Sequence, residues 1–587
     1  ILALSAVLNM GKLTSEGYGN TYFAATVKNM LTSWHNFFFV SFDAGFVSVD
    51  KPPLGLWIQA ASAKVFGFHG WSIMLPQAVA GVLSVALLYY LVRRASGPVA
   101  GLLAALTLAL TPISVAVNHH NNLESVLVLT MLLAAWAFMR AAETGRLPWL
   151  LLGAVLIGLG FNIKMLAAFL IVPACYLLYL VADPGRLWRR MIDLALATVV
   201  LLAVSLSWAV VVDLTPAGNR PYIGGSANNT VLDLIVGFNG ASRLTGSDVD
   251  VGERGPLRLL QEPVVGQIGW LLPLVAVGLV AAIGRERPHF PLSRQQQALV
   301  LWGTWFVSQV VFFSIAGDWD LHYLAVLSPA VAALLGMGVL ALWHDYRTPG
   351  WRGWLLPLTL AGTAALQTRV LSGYTDWVPW VQPAVVILSL VAVVGLVAVR
   401  LVSRPRGFRY SYPLAAVSIG LVALLLAPSL WSASATWYSV ETRTPSAGPQ
   451  AKRDRAASSQ FVHDADPLLE YLQTNRGEAT YLVASADRDF ARYAILNTDD
   501  PLIAFGGFSG RDPVLSNERL VSLIDTGAVR YFLVESSSGK KNSVGSWIIR
   551  NCELLPKITW QPRTAARKKD ANGMDQVLFD CGRSRES

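Results

Sequence analysis

The hydrophobic and polar positions of the chain fall in long blocks. After a partial apolar run at 1–10, runs near the ~20 residues that cross a bilayer lie at 72–92, 97–117, 123–139, 149–161, 166–181, 191–212, 264–283, 297–316, 323–343, 354–371, 378–399 and 412–430. This pattern predicts an α-helical polytopic membrane protein with about thirteen transmembrane helices. The first run is already under way at Ile1, so further residues are expected to precede it.

After Trp431 the blocks shorten. Strand-length runs, "ATYLVAS", "PLIAFGGF", "VRYFLVE" and "DQVLFDC", alternate with amphipathic stretches such as "SNERLVSLIDTG". That alternation predicts a small α/β domain. The expected division is a membrane domain over 1–431 and a C-terminal domain over 432–587.

Charge orients these segments. Alternate connections are short and basic: Arg93 and Arg94, Arg140 and Arg146, Arg186 with Arg189 and Arg190, Arg285 and Arg287, Arg347 and Arg352, and Arg404, Arg406 and Arg409. The positive-inside rule assigns all six to the cytoplasm. It leaves the N-terminus cytoplasmic, and the connections 12–53, 118–124, 213–262 and 317–322 and the C-terminal domain extracytoplasmic. Composition agrees, with 54% hydrophobic and 14% charged residues against ~25% charged in soluble domains. The net charge of +9 therefore reflects loop orientation and not a nucleic-acid partner. Cys175 lies in an apolar run and reads as a buried small hydrophobe. Cys552 and Cys581 are compatible with a disulfide or with two free thiols, and the three cysteines have no metal-ligand spacing.

Two extracytoplasmic connections are long, 12–53 and 213–262, and long connections in compact folds are usually functional or disordered. The first carries Glu16, Asn20, His35, Asp43, Asp50 and Lys51. It also holds a helical pattern with Tyr22, Ala25, Val27, Met30, Leu31 and Trp34 near one face. That helix is expected to lie along the membrane surface with this face in the interface, anchored further by Phe37–Phe39. The second is rich in Gly and Asn and carries Arg220, Asp233, Arg243, Arg254 and Arg258, with apolar periodicity around Val231–Phe238 that argues against disorder. Shorter turns add His119, His120, Asn121, Asn122 and Glu124, then "GDWDLHYLAVLSP" with His322, while Lys164 sits near the end of a span. Ionisable groups are costly in a membrane and usually face a cavity or partner. Grouped at one face, they point to a wet site where basic groups hold a phosphate and carboxylates act as bases. Blander readings stand beside this one. Lys51 can snorkel to the headgroups, His119 and His120 can cap helices, His322 can bond within the bundle, and Glu16 can be a solvated loop residue.

The stretches "YFAATVKNML…HNFFFVSFDAGFVSVDKPPLGLWIQ", "LTPISVAVNHHNNLESVLV", "GFNIKMLAAFLIVPA", "RPYIGGSANNTVLDLIVGFNG" and "HYLAVLSPAVAALLG" resemble a bacterial glycosyltransferase family. That family is related to protein O-mannosyltransferases and to the lipid A aminoarabinose transferase. The C-terminal part is similar to the outer domain of the YkcA/YkcB-like mannosyltransferases. The resemblance implies a GT-C fold in the bacterial plasma (inner) membrane. It also implies transfer of a hexose such as mannose from a polyprenyl-phosphate donor, with inversion. The acceptor would be a protein, a glycolipid or a cell-wall polymer. One departure stands out: where relatives carry a carboxylate before the paired aromatics, this chain has Asn20-Thr21 before Tyr22-Phe23.

The resemblance and the charges together assign catalysis to Asp43, Asp50 or Glu124. Donor-phosphate binding falls to Lys51, Arg220, Arg243, Lys164 and His322, and substrate contacts to Asn20, Tyr22, Asn121 and Asn122. Loss or change of activity at Asn20-Thr21 is a further reading. No cofactor is required, although carboxylates beside phosphate suit Mg²⁺ or Mn²⁺. The alternatives from other classes are a non-catalytic glycolipid-binding scaffold and a lipid-linked-sugar transporter. Transporters place charge near the midplane of repeated halves, which this sequence lacks.

Overall fold

The structure, a computed structural model, describes residues 1–15, 17–182, 187–246, 251–285, 290–402, 411–438, 444–449, 465–535, 543–560 and 576–582. Glu16, Arg186, Arg287, Arg404, Arg406 and Arg409 lie outside the described residues.

Among those described, nine helices are long and apolar enough to cross a membrane, and the bent pair Pro98–Ala109 and Pro112–Asn118, turned by 61°, makes a tenth. The difference from the expected thirteen has physical causes. Leu2–Met10 and Leu355–Leu371 are helical but short, at 9 and 17 residues. By length and composition Leu147–Val181 counts as one 35-residue segment, yet the chain folds back within it, between the runs expected at 149–161 and 166–181. Met165 takes φ 44, and the Phe161 and Phe169 rings lie 5.1 Å apart, where a straight helix would separate them by ~12 Å along its axis. Lys164 therefore sits at a bend. Trp149 (under Arg140, 5.7 Å) and Tyr179 (bonded to Asp193, 2.9 Å) mark the far ends of the two limbs.

Ser328–Arg347 is the central helix, buried along almost its whole length. Leu272–Ile283 approaches it so closely that a Cβ on Gly278 would lie 2.8 Å from the Gly338 Cα. Small residues permit such backbone contact where lipid supplies no hydrophobic driving force between helices. At the periphery, Leu187–Leu214 and Val381–Leu401 turn Val199, Val211, Leu390 and Val391 outward, as helices bathed in acyl chains do.

The C-terminal part carries a four-stranded sheet of β1 (Ala484–Ser485), β2 (Tyr531–Glu535), β3 (Glu553–Leu555) and β4 (Gln576–Asp580) in the order β1-β2-β4-β3. The β1–β2 pair is parallel and the other two are antiparallel. The expected strand at "PLIAFGGF" contributes only a single bridge, Ala484 to Ile503. The expected helix appears as Asn517–Asp525, and Cys552 and Cys581 form a disulfide.

The helix Thr21–Met30 corrects the sequence reading. Its apolar face does not lie in the membrane interface: Ala24, Ala25, Thr26 and Val27 are fully buried within the protein. The C-terminal part covers it, with Lys28 paired to Asp499 at 2.9 Å and Arg492 bonded to Thr21 at 2.8 Å. Trp34, expected on the same face, starts a separate short helix and is 75% exposed.

Candidate active site at the loop face

The segment "FVSVDKPP" is fixed by two bridges, Ser41 to Ser48 within its own loop and Val47 to Tyr222 in the second long loop. Pro52 and Pro53 then lead into the helix Leu54–Phe66, since proline suits the entry to a helix and lacks the N–H that would go unsatisfied there. The chain cannot retreat between these restraints, so Asp50 and Lys51 are held inward. Both are buried, at 2% and 9% exposure, and their side chains form an ion pair. Lys51 therefore does not snorkel to the surface. Burial depresses its pKa, and the Asp50 carboxylate opposes that shift.

Two aromatic rings link this pair to other cations. Lys51 Nζ lies 5.5 Å from the Phe238 ring and the Arg243 guanidinium 4.9 Å from the same ring. Arg243 also lies 5.6 Å from Tyr323, whose ring carries Lys164 Nζ at 3.6 Å. Each cation is balanced: Arg243 by Asp318 at 2.7 Å, and Lys164 by Glu124, which His322 Nε2 also approaches at 3.3 Å. Burial works against the charge on Arg243, but Tyr323, Asp318, Asp320 and Asp50 carry its pKa above the usual arginine value. Lys51, Arg243, Lys164, Asp50, Glu124 and His322 thus converge.

Other candidates are occupied elsewhere. Asp43 accepts hydrogen bonds from the backbone N–H groups of Phe46 (2.8 Å), Val47 (3.0 Å) and Ala504 (2.8 Å). Burial raises its pKa to about 6 against the pull of these amides. It joins the first long loop to the C-terminal part. Arg220 donates to the carbonyls of Thr215 and Asn229 and to Asn229 Oδ1, at 3.1, 2.7 and 2.8 Å, which staples its own loop. Its guanidinium also donates to the Pro221 carbonyl at 3.4 Å and so serves loop closure. Asn20 caps Thr21–Met30 by accepting from Tyr22 N and Phe23 N, while its own N–H groups bond Asn121 Oδ1 (2.7 Å) and Asn122 Oδ1 (3.1 Å). An amide at Asn20 does the capping work that a carboxylate would do. His119 is buried and bonds the carbonyl of Gly11 at the end of the helix Leu2–Met10, in keeping with its reading as a helix-capping residue.

The C-terminal part supplies residues that sequence reasoning missed. Phe508 packs against Tyr22 (5.8 Å) and Phe238 (5.2 Å), so it roofs the ring beneath Lys51. Arg488 lies 5.6 Å from Tyr22 and 4.8 Å from Phe508. Asp512 holds this roof down by accepting from Gly225 N (2.8 Å) and Phe508 N (2.9 Å). Tyr22 therefore reaches the site as a wall, with the Asp50 amide beside its hydroxyl and a pKa pushed up by burial and by the Asp50 charge. Asp318, Asp320 and Tyr323 were visible only as members of the "GDWDLHY" turn. Among the described residues, no three His, Cys, Asp or Glu side chains converge as a metal-ligand set.

Comparison with known proteins places this geometry in context. Residues 50–208 match the family described as "Dolichyl-phosphate-mannose-protein mannosyltransferase", and residues 468–551 match "Putative mannosyltransferase YkcB-like, C-terminal". The chain is 34% identical to "Putative mannosyltransferase YkcB" of Bacillus subtilis, over 96% of this chain and 92% of that protein. It is 26% identical to the undecaprenyl phosphate-alpha-4-amino-4-deoxy-L-arabinose arabinosyl transferase of Pseudomonas aeruginosa, over 68% of each. In fold it is similar to the crystal structure of ArnT from Cupriavidus metallidurans bound to undecaprenyl phosphate. That likeness has a TM-score of 0.59 and 17% identity, over 99% of this chain and 97% of that one. The GT-C architecture and the multi-pass membrane character follow.

Proposed function

The chain belongs to the family of YkcB-type mannosyltransferases, and on that premise we propose that it transfers a hexose, with mannose first in line, from a polyprenyl-phosphate donor to an acceptor at the loop face. The arabinosyl transferase relative is named for such a donor. The observation that carries the proposal is the buried Asp50–Lys51 pair set over Phe238 beside Arg243. Lipid phosphate entering between Lys51 and Arg243 replaces Asp50 as the partner of Lys51. Asp50 is then released to take the proton of the acceptor hydroxyl as it attacks the anomeric carbon from the side opposite the leaving phosphate. General-base assistance of this kind contributes ~10²–10⁴-fold. Lys51 and Arg243 hold the charge that develops on the phosphate, and Lys164, positioned by Glu124 and His322, completes the positive field.

Asp43 and Arg220 are left out of the chemistry because their polar atoms are committed to backbone contacts. The proposed transfer runs without a divalent ion, Lys51 and Arg243 meeting the charge on the leaving phosphate once Asp50 is released. The enzyme sits in the bacterial plasma membrane with the loop face and C-terminal part outside, a reading supported by the arginines gathered at the opposite ends of the spans.

The test is sugar transfer by the purified protein, supplied with a panel of polyprenyl-phosphate sugars and with protein, glycolipid or wall-polymer acceptors. Release of polyprenyl phosphate coupled to glycosylated acceptor is the expected result. Wild-type rates from both the Asp50→Asn and Lys51→Ala proteins would remove the residue assignment. Binding of donor with no transfer to any acceptor class would favour the scaffold reading instead.

A further inference from the structure

The face opposite the site carries a second charged recess. A cavity of about 400 Å³ opens there between the ends of Glu124–Thr144, Val172–Val181, Leu187–Leu214 and Arg294–Ile315, with Arg189, Arg190, Arg294, Glu143, Asp193 and Gln297 in its wall. A pocket of this size accommodates a whole small polar headgroup. Glu143 is already saturated with positive charge, by Arg94 at 2.5 Å and by Arg140 and Arg294 at 3.3 Å each. Arg190 is buried against Tyr179, whose hydroxyl occupies Asp193 at 2.9 Å. Three guanidinium groups line the recess beside two carboxylates, and both carboxylates are taken, Glu143 in part by Arg94 and Arg140 from outside the wall. Arg189 has no ion-pair partner among the described residues. The surplus is an anion-binding field.

Two further observations define the anion. Gln297 is 6% exposed and donates through Nε2 to the Leu292 carbonyl, yet its Oε1 has no hydrogen-bond partner. A buried orphan acceptor is costly unless a donor reaches it, so an occupant that offers a hydroxyl or ammonium group as well as negative charge fits the recess. The flank of the recess is apolar and open: Trp188 is 74% exposed, Phe290 58%, Ile192 54% and Met191 49%. Aromatic and aliphatic groups exposed beside arginines at helix ends are the arrangement of a membrane interface, where basic pockets between helices take lipid headgroups.

We propose that this recess binds the headgroup of an anionic phospholipid, its phosphodiester against Arg189 and Arg294 and a headgroup hydroxyl on Gln297 Oε1. The acyl chains then lie along the flank of Trp188, Met191 and Ile192. The site is separate from the donor site and goes beyond the transferase reading.

Native mass spectrometry of the detergent-purified full chain tests this with phosphatidylglycerol, phosphatidylcholine and inorganic phosphate as probes. The wild type is expected to retain phosphatidylglycerol in preference to phosphatidylcholine. Each arginine is exposed, so the Arg189→Gln/Arg294→Gln protein should keep its thermal midpoint while losing that lipid by roughly tenfold or more. Gln297→Met should weaken phosphatidylglycerol but spare phosphatidic acid, which offers no headgroup hydroxyl on a glycerol. Equal retention of phosphatidylcholine, or undiminished phosphatidylglycerol in the double variant, overturns the proposal. Displacement of the lipid by millimolar inorganic phosphate overturns it too, since the recess would then be a site for a soluble anion.

Discussion

Replacing Asp50 with Asn tests the site most directly, because it separates a structural cost from a chemical one. Asp50 and Lys51 are almost fully buried and paired with each other. Removing one member of such a pair strands the other charge at a cost of ~3–5 kcal/mol. Asp320 also attracts Lys51, so the lower end, ~3 kcal/mol, is expected for Asp50→Asn. Lys51→Met alone strands Asp50 in the same way. The double variant removes both charges and leaves a shape close to the original, so it should recover most of the loss and lie within ~1 kcal/mol of wild type. Catalysis should behave differently: Asp50→Asn should lower the single-turnover transfer rate by ~10²–10⁴-fold, and the double variant should stay inactive despite its regained stability. Thermal midpoints in detergent and single-turnover transfer, measured on all four proteins, complete the cycle. If the two single-site losses of stability simply add in the double variant, the pair is not coupled. If Asp50→Asn transfers within about threefold of wild type, another group accepts the proton, a base term of this size being absent.

Three further expectations follow from the same geometry. Asp43, with a pKa raised to about 6 in the folded protein from the ordinary 3.8, binds its proton more tightly folded than unfolded. Its contribution therefore favours folding at low pH and is lost as pH rises from about 4 to 6, by up to ~3 kcal/mol. Subtracting the midpoint–pH curve of Asp43→Asn from that of the wild type should reveal this slope, and a flat difference would contradict the assignment. Arg220→Ala should lower the thermal midpoint through loss of its loop staple yet leave kcat within severalfold of wild type; a selective rise in donor KM at an unchanged midpoint would return Arg220 to the phosphate site. Transfer should persist in excess EDTA, because Lys51, Arg243 and Lys164 neutralise the leaving phosphate, and abolition restored by Mg²⁺ or Mn²⁺ would reverse that conclusion.

The membrane architecture was legible in the sequence because bilayer thickness imposes one length on every span, and the arginine loops alternate with it. Where the reading failed, the signal was not linear. The helix at Thr21–Met30 was readable as amphipathic, but its covering came from residues hundreds of positions away. Among the site groups, "DKPP" pointed to Asp50 and Lys51 by local chemistry alone. Asp43 could not be told from Asp50, since the difference is three backbone amides, one of them from Ala504, 461 residues further along. Phe508 and Arg488 carried no signal at all, because an aromatic in a Gly-rich turn becomes a roof only when the turn is docked.

That docking has a consequence for how the protein comes to life. The contacts from Ala504 to Asp43, Asp512 to Gly225 and Arg492 to Thr21 join a late-made part of the polypeptide to parts made hundreds of residues earlier. During synthesis the acid–base pair exists long before its roof does. A nascent or prematurely terminated chain would have the charges but not the aromatic roof of Phe508 over Tyr22 and Phe238. The order of translation then acts as a safety catch, arming the site only once residues 488–512 have been made and have docked on the loops that precede them.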